Sequence, residues 1–255
     1  MGENLHSHAE DLERIEDSDF WSKVKAKLIL CLVEGNNVFD VGCGSGRLSK
    51  ILLDQGFTVV AIDTDPKAVK IAKKKGLTAY VSDISDWICE DKFDCIILGD
   101  VLEHIQDDKA SLRKIHGMLM PNGCIVVNVP AYQGLFSKHD FALGHKRRYS
   151  NKELKVKLRE SGFKIEYFRH WNLLALPITV GIKLSKKDYP HEEVANNKFL
   201  SGLLEKWLIA ESKINYLFGI SILCKARKVE LNASNPSPNQ PVLALQSKRQ
   251  RHLSS

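Results

Sequence analysis

From residue 37 onward the chain alternates short apolar runs with helical spacing, and that alternation leaves few folds open. NVFDV (37 to 41), TVVAID (58 to 63), LTAYVSD (77 to 83), FDCIILGD (93 to 100) and CIVVNVP (124 to 130) read as strands, and the β-branched run TVVAID carries the signature of one covered on both faces. Between the first three lie two helices. RLSKILLDQG carries Leu48, Ile51 and Leu52 on one face and stops at Gly56; DTDPKAVKIAKKKG starts with Asp65 as N-cap and Pro66 as first helical residue and stops at Gly76. A third helix is predicted over 107 to 119, with Leu112, Ile115 and Leu119 inward, and PNG turns the chain into the fifth strand. NKELKVKLRESG, capped by Ser150, leads into a sixth strand, FKIEYFRHW, and FGISILCKARK gives a seventh. Strands joined by helices form right-handed parallel βαβ units, so the predicted class is α/β, a doubly wound open sheet of seven strands.

The rest of the chain is arranged around that sheet. Residues 1 to 35 read as N-terminal helices, 36 to 230 as the main domain, and 172 to 216 as a helical insert between strands six and seven. That insert, with Trp171 and Trp207, is expected to cover the site as a lid. Beyond Glu230, NASNPSPNQP has no apolar face to bury, so 231 to 255 is predicted to be disordered. No apolar run reaches the roughly 20 residues of a membrane span; LLALPITVGI (173 to 182) is half that length and contains Pro177. No signal-peptide core is visible near the N-terminus, and the six cysteines form no CxxC pair. Cys95, Cys124 and Cys224 lie inside apolar runs, so the expectation is buried thiols in a cytoplasmic protein.

The carboxyl ends of the strands are where a doubly wound sheet binds its ligand, and VFDVGCGSG occupies the end of the first. Glycines 42, 44 and 46 let a ligand approach the backbone and allow positive φ in a tight turn. A dinucleotide fingerprint needs its third glycine three positions after the second, where this chain has Arg47. Asp63 ends the second strand, 17 residues past Gly46, where a carboxylate can accept from both hydroxyls of a ribose; Asp83 and Ile84 follow the third strand, placed to read an adenine edge.

With VFDVGCGSG (38 to 46), AIDTDP (61 to 66), VSDI (81 to 84), DVLEHI (100 to 105) and LMPNGCIVVNVP (119 to 130) in order over about 90 residues, the chain resembles the class I S-adenosylmethionine-dependent methyltransferases. The LEH element is similar to the small-molecule branch that includes ubiquinone-biosynthesis O-methyltransferases. The resemblance implies a Rossmann-like sheet with its last strand antiparallel and S-adenosyl-L-methionine as cofactor. It further implies that Gly42, Cys43 and Gly44 line the methionine part, that Asp63 holds the ribose, that Asp83 and Ile84 flank the adenine, and that Gly99 and Asp100 border the transferring methyl group, with Asp40 and Thr64 also among the cofactor-binding residues.

HDFALGHKRRYS (139 to 150) follows strand five on that same carboxyl edge and so belongs to the rim over an acceptor. Residues 145 to 188 carry twelve Lys or Arg against four Asp or Glu, whereas residues 1 to 40 carry four against nine. The basic sector suits an anionic partner. Asp140, His145 and His104 are the candidates to orient or deprotonate an acceptor. Arg147 and Arg148 are the candidates to clamp an anionic group bidentately, and Tyr149 to wall the pocket. Glu103 is read as structural, and no metal site is expected. Lys183, Lys186 and Lys187 beside the apolar 173 to 182 run make a lipid-linked acceptor and peripheral membrane contact worth testing. The expected activity is methyl transfer to a small or lipid-linked, anionic acceptor, at oxygen. Three other readings compete with it: an RNA or protein methyltransferase, although no appended RNA-binding motif is present; a non-catalytic cofactor-binding protein; and an NAD-dependent oxidoreductase, which the glycine spacing disfavours.

Overall fold

The computed structural model describes residues 20–173, 175–185, 206–211 and 218–230. In chain order the elements are α1 (Phe20–Leu30), β1 (Asn37–Val41), α2 (Arg47–Asp54), β2 (Thr58–Asp63), α3 (Pro66–Lys74), β3 (Thr78–Val81), β4 (Phe93–Gly99), α4 (Asp108–Met118) and β5 (Leu119–Pro130). A 3-10 turn (Gln133–Leu135), α5 (Lys138–Ala142), α6 (Asn151–Glu160), β6 (Phe163–Trp171), α7 (Ala175–Ser185) and β7 (Ser221–Lys228) complete them.

The predicted starts and stops reflect local chemistry. Asp65 accepts from the Lys67 amide at the head of α3, and Ser150 accepts from the Glu153 amide at the head of α6, each satisfying a donor that the first helical turn leaves over. The fifth strand starts earlier than the sequence suggests, because Leu119 already pairs with Phe93 and a bulge absorbs the PNG segment before Cys95 meets Cys124.

The seven strands form one sheet in the order β3-β2-β1-β4-β5-β7-β6. Strands β1 to β5 pair in parallel, and β7 runs antiparallel between β5 and β6. The period-2 pleat sorts each central strand between two cores. Phe39, Val41, Ile96, Leu98, Ile125 and Val127 face Leu112 and Ile115 of α4 and Leu154 and Leu158 of α6. Val38, Cys95, Ile97, Cys124 and Val126 face Val24 and Ile29 of α1 and Leu52 of α2. The strand order reverses between β1 and β4, which fixes the switch point and with it the place of a ligand cleft.

Trp171 corrects the lid expectation. It ends β6 buried, stacks on Trp21 at 5.3 Å, and its indole N–H donates to Asn128 at 2.8 Å, so its bulk fills the α1 side of the core. Trp207 is largely exposed, and most of the 172 to 216 insert, Lys186 and Lys187 included, lies outside the described residues, as do 1–19 and the 231–255 tail. No helix among the described residues is long and apolar enough to cross a membrane.

Candidate active site

At the switch point the carboxyl ends of β1, β2, β3 and β4 surround a cleft of about 440 Å3. Gly42, Asp63, Thr64, Asp83, Ile84, Asp100 and His104 of the predicted residues border it, and so do Val41, Ile62, Ser82, Val101, Ile105 and Gly144. The second group was missed, although its signal was available. Val41 and Ile62 sit at or next to a strand's last position, and Val101 and Ile105 are apolar residues in the turn that follows β4.

The glycine loop is tied to the second strand from below. The amides of Gly42 and Cys43 both donate to the Ile62 carbonyl, at 2.8 and 3.0 Å. Gly42 has φ 72°, and a Cβ there would lie 2.4 Å from Val101 Cγ2, so only glycine lets the loop close against the β4 turn. Asp63 braces the loop from the side: its carboxylate accepts from the Gly44 amide at 2.8 Å and the Asp65 amide at 2.9 Å. A carboxylate offers about four lone-pair positions, so those two bonds leave capacity for hydroxyl donors in the cleft.

Asp40, Cys43, Gly44 and Gly99 are not among the residues that line the cleft; Cys43 and Gly44 lie in the glycine loop beside Gly42, which does. Asp40 points to the α2 side of the sheet, buried, where it accepts from Ser49 Oγ at 2.6 Å. Burial holds its carboxyl up at about 6, with the charge of Asp63 adding to the rise and the Ser49 hydrogen bond opposing it. The folded protein therefore keeps a proton between pH 4 and 6 that the unfolded chain gives up. Asp40's contribution is fully favourable below pH 4 and is lost as pH rises through 6, by roughly 3 kcal/mol at most. Asp40→Asn retains an acceptor for Ser49 without the charge, so the variant is expected to lose less stability than the parent between pH 4 and 8 in denaturant titrations. An equal loss in both would remove Asp40 as the source.

Asp100 has φ 63°, a left-handed conformation rare outside glycine, and the surroundings hold it there. Its amide donates to the Asn128 carbonyl, and its carboxylate accepts from the Asn128 side chain at 2.5 Å and from Lys25 of α1 at 2.6 Å. Next to it, Glu103 is fully buried, and burial followed by the Asp100 charge pushes its carboxyl well above the usual carboxylate range. Burial, then the neighbouring His145, lowers the His104 pKa, which favours the neutral ring.

The loop after β5 does something other than clamp an anion. Tyr149 is buried, pairs in parallel with Ala131, and donates its hydroxyl to the Leu102 carbonyl at 3.0 Å and Asp108 at 2.8 Å. Arg147 donates to Asp108 and to the Gln106 carbonyl, both at 2.9 Å. Arg148 donates to Asp140 at 2.8 Å and is itself buried. These partners correct the assignment of Arg147, Arg148 and Tyr149 as acceptor contacts: they lock the loop onto β5 and the α4 turn. Asp140 is completely buried, receives His145 Nδ1 at 2.9 Å, and forms a capping box with Ser137 at the head of α5. Burial alone would raise its carboxyl, but the hydrogen bonds from His145 and Arg148 outweigh it and hold it well below the usual range. So Asp140 stays ionised and orients His145 instead of taking a proton. His145 does not border the cleft; it reaches it through His104, whose ring it meets edge to face at 4.8 Å.

This geometry agrees with what the chain is similar to. Residues 13–167 match the family model described as a methyltransferase domain. A ubiquinone biosynthesis O-methyltransferase of Xylella fastidiosa is 36% identical over 104 residues, 38% of this chain and 42% of that protein. One of Xanthomonas oryzae is 36% identical over 108 residues, 39% and 44% of the respective lengths. The match thus spans about two fifths of the length of these curated relatives. Among solved structures, a SAM-dependent methyltransferase of Thermotoga maritima, a possible histamine N-methyltransferase, superposes with TM-score 0.60 at 15% identity, covering 88% of this chain and 96% of that one. The N-methyltransferase NodS of Bradyrhizobium japonicum, in complex with S-adenosyl-L-homocysteine, gives 0.56 at 16% identity, with 87% and 98% covered. The chain belongs to the methyltransferase domain family and has the fold of the S-adenosylmethionine-dependent methyltransferases among these structures.

Proposed function

We propose that this methyltransferase acts at the oxygen of a small, hydroxylated acceptor with an apolar or lipid-linked part. The observation that carries the reading is the cleft itself, which brings Asp83, Asp63 and His104 into one lining. In this reading Asp83 and Ile84 hold the adenine, Asp63 and Thr64 the ribose, and the Gly42 to Gly44 loop the methionine end, with Asp100 beyond it. The cofactor supplies an electrophilic methyl group, so the protein's task is to orient an acceptor and exclude water. His104, exposed at the cleft and with its pKa lowered, is suited to accept a hydroxyl proton at the acceptor end, and His145, fixed by Asp140, orients it. The curated relatives' name favours oxygen over nitrogen.

An anionic acceptor loses support, since Arg147 is paired with Asp108 and Arg148 is buried against Asp140. The apolar part gains it. Phe141 and Leu143 are 74% and 50% exposed just before Gly144, which borders the cleft, so the rim presents an apolar surface beside the acceptor end. The test is incubation with methyl-labelled cofactor and paired phenols or catechols with and without a long prenyl chain, alongside matched amines, read by mass spectrometry. The expected product is a methyl ether, formed faster on the prenylated member of each pair. Methylation of the amines alone would overturn the reading, and equal rates within pairs would remove the apolar rim from it.

A further inference from the structure

The sheet ends in an open edge. β3 is the outermost strand on its side of the order, and among the described residues nothing pairs with its outer side. The Ser82 amide donates to the Asp63 carbonyl of β2, so by the alternation of a parallel ladder Thr78 and Tyr80 also turn toward β2, while Ala79 and Val81 turn their N–H and C=O groups outward. Such a row is a template for a further strand, and proteins commonly blunt it with a charge or a proline in the strand itself. The β3 sequence, TAYV, has neither.

Two kinds of side chain flank the edge. Tyr80 and Val81 are 46% and 53% exposed, the Tyr80 ring lies 5.3 Å from that of Trp87, and the next residue, Ile88, is 91% exposed and so buries almost nothing within the chain. The other kind is cationic. Helix α3 carries Lys67, Lys70, Lys73 and Lys74 and no acidic residue, and none of the four has a carboxylate partner among the described residues. Lys73 reaches across the strand, with Nζ 5.9 Å from the centre of the Tyr80 ring. The open backbone is thus bordered by apolar surface and by positive charge that the chain does not compensate.

We propose that the β3 edge docks an acidic, extended segment of a protein partner, which adds a strand to the sheet. Main-chain bonds to Ala79 and Val81 hold the segment, its alternate apolar side chains cover Tyr80 and Ile88, and its carboxylates meet the α3 lysines. The outward N–H and C=O groups select a polypeptide over a lipid surface or a nucleic acid, since only another extended backbone matches their spacing. A second copy of the chain fits poorly. Antiparallel pairing of β3 with β3 about a two-fold axis sets both α3 helices on one face, lysines against lysines. The surface does not depend on the acceptor proposed above, but it adjoins the site: Val81 is followed directly by Ser82, Asp83 and Ile84, which line the cleft.

The test selects binders to the immobilised full chain from a phage-displayed library of random peptides. The expected pool alternates Asp or Glu with apolar residues, and its members slow amide exchange at Ala79 and Val81 and bind more weakly as salt is raised. Val81→Pro removes an outward donor while leaving the bonds to β2, and Lys73→Glu combined with Lys74→Glu reverses the charged border. Each change is expected to weaken the selected peptides by at least about tenfold. Where Val81→Pro fails to fold, the lysine pair, which lies on the surface, decides alone. Enrichment of no peptide or of basic peptides, or binders that leave the β3 amides exchanging as before and do not respond to the variants, would overturn the surface. A dimer of the chain that Val81→Pro dissolves would give the edge to a second copy and overturn the acidic partner.

Discussion

Replacing Asp140 by alanine is expected to lower the unfolding free energy by about 3–5 kcal/mol, the loss seen when one partner is removed from a buried ion pair. The carboxylate is wholly buried and is the shared acceptor for Arg148, His145 and the head of α5. Without it the Arg148 guanidinium stays buried beside the Ala131 carbonyl with its charge uncompensated. The melting midpoint should fall by on the order of 10 °C in a chain of this size. Asp140→Asn keeps an acceptor for the helix cap and is expected to lose less. If Asp140→Ala melted where the parent does while turnover collapsed, Asp140 would belong with the reacting groups, as the sequence first suggested.

Asp63→Ala is expected to weaken S-adenosyl-L-homocysteine binding by about tenfold to a hundredfold. Two effects combine: in the proposed role its carboxylate accepts from two ribose hydroxyls, and each hydrogen bond to a charged group is worth about 1.5 kcal/mol or more. It also holds the amides of Gly44 and Asp65, so its removal loosens the glycine loop itself. Calorimetric titration at matched stability separates the two, and an affinity within twofold of the parent would take Asp63 out of the cofactor site.

Much of the fold was legible because parallel strands covered on both faces must be continuously apolar. NVFDV, TVVAID and FDCIILG could be little else, and their caps and stops at Asp65, Pro66 and Gly76 are dictated by local chemistry. The strand-end positions of Asp63, Asp83 and Asp100 followed directly, since a doubly wound sheet places its cleft at those ends. What the sequence could not supply was the partner of each polar group. Arg147 and Tyr149 converge on Asp108, 39 and 41 residues away, and no spacing rule connects them. A basic run followed by an aromatic reads the same whether it faces a ligand or staples a loop. Only the fold decides, and here it uses the charges for stapling. Trp171 was misplaced for a related reason: it ends a strand, and whether the next residue begins a lid is not written in the strand itself. Glu103 is the converse case, a charged residue whose burial no periodicity announced.

The most direct test of the account is calorimetric titration of the purified protein with S-adenosyl-L-homocysteine and, separately, with NADH. Micromolar binding of the first and none of the second is the predicted result. Binding of NADH, or of neither ligand, would contradict it.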